Sequence, residues 1–233
     1  MRGLPGIGAL SRALVDFLFP PSCGGCDQEG VFLCERCRAQ LVPVGAACAQ
    51  CARPLPQGER CGWCTRWPLR WLDGIVAAYV FTGPLRSAVH AFKYRSYRAL
   101  DETLGQLLAE PWQRVPPVDV VVPVPLDAKR ERQRGYNQAA LLARALARGV
   151  GLSVVEGVLV RVRETPPQVR AASADERRVQ VQGAFRADGR LAGKRVLLVD
   201  DVCTTGATLD AAAGACKEAG ATAVYGLVLA REV

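Results

Sequence analysis

The sequence predicts an α/β protein, a mostly parallel sheet flanked by helices and preceded by a small cysteine-rich metal module. Three observations predict it. Apolar runs such as Val118 to Pro123 and Lys194 to Val199 alternate with segments of helical spacing, as in a parallel sheet covered on both faces. Eight cysteines fall in four Cys-x-x-Cys pairs before residue 65. A buried strand ends in Asp200-Asp201, and a short turn of threonine and glycine then opens a helix.

The 233 residues, 50% apolar, suffice for one full α/β core and a small appendage. The expected division is 1–71 for an N-terminal helix and the metal module, and 72–233 for the α/β domain. The net charge is +8 and the pI about 9.2. Only four of the 30 basic residues are lysine (93, 129, 194 and 217), so the charge is almost all guanidinium. Guanidinium binds phosphate bidentately, which favours nucleic acid, an anionic surface or a phosphorylated ligand as partner. Arginine-rich composition of the genome gives the same balance without any partner. No stretch has the length of a membrane span. The apolar character of the start fades at Ser11-Arg12 and Asp16 without a secretory cleavage pattern, so a cytoplasmic location is expected. Leu10 to Phe19 reads as a short amphipathic helix.

The cysteine pairs are Cys23/Cys26, Cys34/Cys37, Cys48/Cys51 and Cys61/Cys64. Two residues between thiolates let both sulfurs face one metal from a single turn, and two such turns complete a tetrahedron. Two structural zinc ions follow. Consecutive pairing of the quartets is simplest, and interleaving remains open on spacing alone. Gly24-Gly25 and Gly62, between ligands, are expected at positive φ. All four positions of each site are filled, so neither is catalytic, and the segment has too few apolar residues to fold without metal. Trp63, Trp67 and Trp71 beside the last ligands suit packing of the module on its neighbour, or stacking on bases of single-stranded nucleic acid.

Residues 65 to 73 read as the linker. Gly74 to Phe81 is a strand, Leu85 to Lys93 a helix, Ala99 to Glu110 a helix and Val118 to Pro123 a strand. Residues 137 to 148 form a helix, and Val154 to Val162 is mostly strand. Residues 163 to 182 are polar and arginine-rich and read as a long excursion. Lys194 to Val199, Ala207 to Ala219 and Ala223 to Leu229 complete the pattern as strand, helix and strand.

The segment Arg195-Val-Leu-Leu-Val-Asp-Asp-Val-Cys-Thr-Thr-Gly-Ala-Thr-Leu209 carries the chemistry. Ligands of open parallel sheets bind at strand C-terminal ends. The backbone N–H groups and helix dipole of the turn Thr204, Thr205, Gly206, Ala207 and Thr208, with the hydroxyls of its three threonines, suit a phosphate monoester. Asp200 and Asp201 suit two vicinal sugar hydroxyls and can orient magnesium through its waters.

This pattern resembles the signature of type I phosphoribosyltransferases. The resemblance implies that Asp200 and Asp201 take the ribose hydroxyls and that Thr204 to Thr208 wrap the 5-phosphate. The loop Pro125-Leu126-Asp127 stands where that fold binds pyrophosphate. Arg132 to Gln138 (Arg-Gln-Arg-Gly-Tyr-Asn-Gln), Phe92-Lys93-Tyr94 and the four cysteine pairs look like the competence-associated ComF/GntX branch, and together they span nearly the whole chain. In that branch the excursion carries a Thr-x-x-Gln and a Glu-Arg, matched here by Thr165, Gln168, Glu176 and Arg177. Gln180 stands where an Asn often follows.

The resemblance implies an accessory protein of DNA uptake that binds phosphoribosyl pyrophosphate with magnesium, or a related phosphate ligand, with the helicase-type ATPase of the competence machinery as a partner; the net charge, Arg130 to Arg134 and the tryptophans add single-stranded DNA as an expected partner. An active salvage transferase and a non-catalytic nucleic-acid binder are the alternatives. For a transferase, residues 163 to 182 would be the hood. No base-recognition segment is readable near the C-terminus. Arg130, Arg132 and Arg134 suit phosphate contacts or a solvated face. Tyr136 and Asn137 suit ligand contacts or a helix start with Asn137 as cap. Cys203, Cys216 and His90 read as packing residues. Changes in the phosphate turn are expected to leave zinc content intact, because the loop is placed on the surface of the other domain.

Overall fold

Four parallel strands form the main sheet, and the residues that build them are almost wholly apolar. In chain order they are β1 (Gly74–Val80), β2 (Val120–Pro123), β5 (Arg195–Cys203) and β6 (Ala223–Arg231), and their spatial order is β1-β6-β5-β2. The computed structural model describes residues 20–55, 60–94, 97–163 and 183–233. The expected N-terminal helix, most of the proposed hood, and Thr165, Gln168, Glu176, Arg177 and Gln180 lie outside the described residues. Among those described, no helix is long and apolar enough to cross a membrane.

Side chains alternate across the sheet even though the strands look uniformly apolar. Val196 and Leu198 enter one core, while Leu197 and Val199 enter the other. The second core is filled by three helices: α3 (Gly83–Tyr94), α4 (Asp101–Ala109) and α6 (Gln138–Val150). Helices α4 and α6 approach so closely that a Cβ at Gly105 would fall 2.2 Å from that of Ala145. The first core holds α7 (Ala207–Glu218), the antiparallel pair β3 (Leu159–Arg161) and β4 (Phe185–Ala187), and the second cysteine quartet.

Several expectations need correction. The sequence put strand from Val154 to Val162, but only Leu159–Arg161 forms one, with a separate parallel bridge from Val154 to Val121. Its partner β4 was not anticipated, being three residues without strong alternation. The helix expected from Ala99 begins as a 3-10 turn at Arg98–Leu100. Strand β5 does not stop at Val199. Strand β6 is long enough to pair with it through Asp200, Val202 and Cys203.

The cysteines form two consecutive clusters, Cys23/Cys26/Cys34/Cys37 and Cys48/Cys51/Cys61/Cys64, with all sulfurs of each within 4.8 Å of one another. Cys26 and Cys34 Sγ are 3.7 Å apart, and Cys51 and Cys61 Sγ 3.6 Å. A tetrahedron with Zn–S near 2.3 Å has edges of about 3.8 Å, so the donors fit zinc. Backbone N–H groups of Cys34 and Cys37 donate to sulfurs of the first cluster, and those of Cys61 and Cys64 to the second. The short helices α1 (Glu35–Ala39) and α2 (Gly62–Arg66) start at the third ligand of each quartet. The sharp backbone turn falls after the second ligand, on Asp27 (φ 59) and Ala52 (φ 57), not on the glycines between ligands. Gly25 is required instead by proximity, since a Cβ there would lie 2.9 Å from Cys37 Sγ and from Pro84.

The first ribbon packs on α3 and the second on the opposite face of the sheet. The linker is tied down by Asp210 of α7, whose carboxylate accepts from the N–H groups of Arg70, Trp71 and Leu72 at 3.1, 2.8 and 3.1 Å. Trp63 packs on the first core, its ring 4.4 Å from that of Trp67, and Trp71 lies over Gly214.

Gently purified protein should carry two zinc ions by elemental analysis. The Cys23→Ser/Cys26→Ser double variant should lose one of them and the fold of the first ribbon. Absence of zinc, with these thiols in disulfides, would refute the assignment.

Candidate functional site

Parallel pairing brings two loops side by side at one edge of the sheet. The last β2–β5 pair is Pro123 with Val199, and the Val124 N–H donates to the Val199 carbonyl at 3.0 Å. Asp200 and Asp201 therefore stand beside the start of the Val124–Asp127 loop. Asp127 is buried and caps α5 (Ala128–Arg134), its Oδ1 accepting from the N–H groups of Lys129 and Arg130.

Adjacent residues of a strand face opposite sides, so the two acids meet different surroundings. Asp201 points to the α3 side, where Lys93 Nζ lies 2.8 Å from its Oδ2. Asp200 points to the other side and interacts electrostatically with Arg161 of β3, as do Asp127 and Arg130. The Arg161 guanidinium also lies over the Phe185 ring, 5.3 Å from its centre. Arg161 was not singled out in the sequence. An arginine in a short strand beside an arginine-rich stretch gives no signal there.

Burial, and then the charge of Asp201, push the Asp200 carboxyl up to about 7. Lys93 acts in the opposite direction.

After β5 the chain turns through Thr204 and Thr205 to Gly206, whose φ of 82° places it in the left-handed region just before α7. The Thr205 hydroxyl accepts from the Ala207 N–H at 3.3 Å. First-turn N–H groups of a helix lack intrahelical acceptors, so the turn offers a donor-rich rim. Asp200 and Val202 to Leu209 line one small hollow of about 20 Å³.

The turn is not an exposed feature of a separate body. Thr205 is only 5% exposed, and a Cβ at Gly206 would meet Leu69 of the linker at 3.2 Å. Arg231, the last residue of β6, is wholly buried behind it. Its Nε donates to the Cys51 carbonyl at 2.7 Å, and its Nη1 to the Cys203 carbonyl at 3.0 Å and to the carbonyls of Thr204 and Glu232. The expectation that the turn lies apart from the metal module is corrected. Register explains it, since Arg231 pairs directly with Cys203. The only cue in the sequence was a charged residue closing an apolar strand.

The Gly-Tyr-Asn-Gln segment acts as a clamp on both loops. Gly135 ends α5 in the left-handed conformation. The Tyr136 hydroxyl donates to the Phe92 carbonyl, next to Lys93. Asn137 caps α6, accepting from the Ala139 N–H at 3.0 Å, and its Nδ2 donates to the Val124 carbonyl at 3.0 Å. Of the three arginines, Arg132 is exposed, Arg130 is half-buried, and Arg134 bonds Gln138 and lies over the Tyr94 ring. Pro125, Tyr136 and Asn137 also line a cleft of about 400 Å³ outside β2.

The remaining residues sort simply. Burial pushes the Cys203 thiol up to about 11 and that of Cys216 up to about 12, as for inert core thiols. His90 is not a core residue. It is exposed, with its ring 4.7 Å from that of Tyr94.

Comparison with known proteins agrees with both halves of this picture. The Double zinc ribbon domain family matches residues 14–65, and the Phosphoribosyl transferase domain family matches residues 118–232. Competence protein F of Haemophilus influenzae is 32% identical over 188 residues, covering 76% of this chain and 81% of that protein. The chain belongs to the competence protein F family. Other members include the DNA utilization protein YhgH of Escherichia coli, 29% identical over 85% of this chain and 90% of the relative. The competence protein ComFC of Bacillus subtilis is 28% identical over 82% and 80%. In competence protein F terms, the parallel sheet with its helices is the phosphoribosyltransferase domain, and the two cysteine clusters are the double zinc ribbon.

The raised Asp200 carboxyl has a consequence for stability. An acid held above its unfolded value, here 3.8, contributes stability that is full below that value and is lost as pH rises through about 7. Asp200→Asn removes the titration. The variant should melt above the parent at about pH 8, with the gain shrinking towards pH 4. A melting difference that stays constant across that range would show that the carboxyl titrates normally.

Proposed function

We propose that this chain binds phosphoribosyl pyrophosphate with magnesium at the joined ends of β2 and β5. The observation that carries this reading is the convergence of Asp200 and Asp201 with the Thr204–Thr208 turn on one strand edge. A phosphoribosyl group needs both halves: acceptors for two vicinal hydroxyls and an N–H cradle for its 5-phosphate. The Pro125–Asp127 loop, alongside, takes the pyrophosphate, and Arg161, Arg130 and Lys93 supply positive charge around it. Asp200 and Asp201 would hold magnesium through its waters, and the ion would supply positive charge against the pyrophosphate. If turnover follows, the chain's own contribution is positioning, electrostatic stabilisation of the ribose cation and exclusion of water, with pyrophosphate leaving.

The relatives' names, competence protein and DNA utilization protein, support a role for this site in handling imported DNA. Single-stranded DNA is the proposed macromolecular ligand, and the competence ATPase a proposed partner. The exposed Arg132 of α5 and the net charge of +8 favour an anionic strand.

Calorimetric titration of phosphoribosyl pyrophosphate with magnesium tests the ligand. Asp→Asn at 200 and 201 should cost about 1.5–3 kcal/mol for each charge-assisted bond removed. Thr205→Val should cost less. Gly206→Val should abolish binding, since the left-handed turn and Leu69 both oppose a branched side chain. Equal affinity in wild type and the double Asn variant would mean that the ligand sits elsewhere. Pyrophosphate release across candidate bases separates an active transferase from a binding protein.

Binding of single-stranded DNA should fall steeply as salt rises, because each arginine–phosphate contact releases counterions. Arg132→Ala should flatten the salt slope. Undetectable binding at low salt would remove DNA as a direct partner.

A further inference from the structure

The Arg231 guanidinium donates to backbone carbonyls, and the residue is completely buried. A buried guanidinium is tolerated only where acceptors surround it. Those acceptors come from two places. One is the Cys51 carbonyl, on the turn of the second ribbon. The others are the carbonyls of Cys203 and Thr204, which begin the phosphate turn, and of Glu232. Its Nη2 has no hydrogen-bond partner among the described residues. Four thiolates around one divalent zinc leave a net negative cluster, so the guanidinium sits against a negative centre on that side.

The sequence neighbours of these contacts matter as much as the contacts. Cys51 is a proposed zinc ligand, and its carbonyl lies in the ligand turn. Thr204 opens the donor-rich rim, and pulling its carbonyl and that of Cys203 towards Arg231 leaves the following N–H groups to face outward. One rigid fork thus fixes both turns at once, which a lysine cannot do with a single nitrogen.

We infer that Arg231 is the positioning residue that joins the second zinc ribbon to the phosphate turn, so that zinc in the Cys48/Cys51/Cys61/Cys64 cluster and a phosphorylated ligand on Thr204–Thr208 stabilise each other. The inference rests on the phosphate reading of the turn. It follows from linkage: if metal orders a turn that Arg231 ties to the ligand loop, the ligand must in return hold the metal, by the same factor. The first ribbon provides an internal control, because it packs on α3 across the sheet.

The test uses the full zinc-loaded protein. A zinc-selective chelator is added with an alkylating agent, and mass spectrometry follows which cysteines become reactive, with and without phosphoribosyl pyrophosphate and magnesium. The ligand should slow exposure of Cys48, Cys51, Cys61 and Cys64 by about tenfold. It should leave Cys23, Cys26, Cys34 and Cys37 unchanged. Arg231→Met keeps the apolar stem and removes the donors. It should weaken ligand binding by about tenfold and lose the selective protection even at saturating ligand. Arg231→Lys should keep only part of that protection, and it serves if the Met variant does not fold. Equal protection of both ribbons, or none in wild type that binds ligand by calorimetry, overturns the coupling while the phosphate reading stands. Undiminished protection in Arg231→Met overturns the role of Arg231. No calorimetric binding to wild type overturns the phosphate reading and the coupling with it.

Discussion

Two neighbouring carboxylates must be accommodated on a strand covered on both faces, with little water to help them. Like charges side by side in a poorly solvated place repel, and burial penalises each further. The chain meets this constraint by using the alternation of the strand. Asp201 faces Lys93 from the helical layer, and Asp200 faces Arg161 from the β3–β4 layer. Cations therefore approach from opposite sides, and Lys93 also offsets part of the upward push on Asp200. The compensation is incomplete, as the raised Asp200 carboxyl records, and that leaves a place for one more positive charge from outside.

Holding those cations in register accounts for polar contacts that look unrelated in sequence. Lys93 is placed by α3, whose last turn is fixed through the Phe92 carbonyl by Tyr136. The loop after β2 is fixed through Val124 by Asn137. One short segment between α5 and α6 thus sets the distance between the two loops and the orientation of a lysine that belongs to neither. Arg231 does the corresponding work from below, through the carbonyls of the turn. The backbone at this edge of the sheet is thus tied down from behind.

Much of this was legible in the sequence, for identifiable reasons. The cysteine spacing determined two metal clusters, and the consecutive pairing is the one that short loops close most easily. Strands β2, β5 and β6 were readable because residues buried on both faces give unbroken apolar runs. Asp200, Asp201 and Thr204 to Thr208 were readable because they interrupt such a run with a dense polar pattern. Arg161, Arg231 and the ion pair of Lys93 were not. Each acts across a sequence separation of tens to hundreds of residues, and nothing local distinguishes it from a solvated basic residue. The glycines of the first knuckle misled for a related reason. Local rules attribute glycine to backbone conformation, whereas at Gly25 it is a neighbouring helix start, brought by the fold, that leaves no room.

The stretch between the two ribbons has one further effect. Val42 to Val44 runs antiparallel beside β1: the Val44 N–H donates to the Ala78 carbonyl at 2.9 Å, and the Val80 N–H to the Val42 carbonyl at 2.8 Å. On the opposite border, Val154 bridges to Val121. Sheets with bare borders recruit strands from other molecules. Here the segment beside β1 ends its own pairing potential at Pro43, which has no N–H to offer a further strand. The ribbons are thus spaced by a built-in seal against edge-to-edge self-association, and a version of this protein trimmed back to its α/β half would expose β1 as a sticky border.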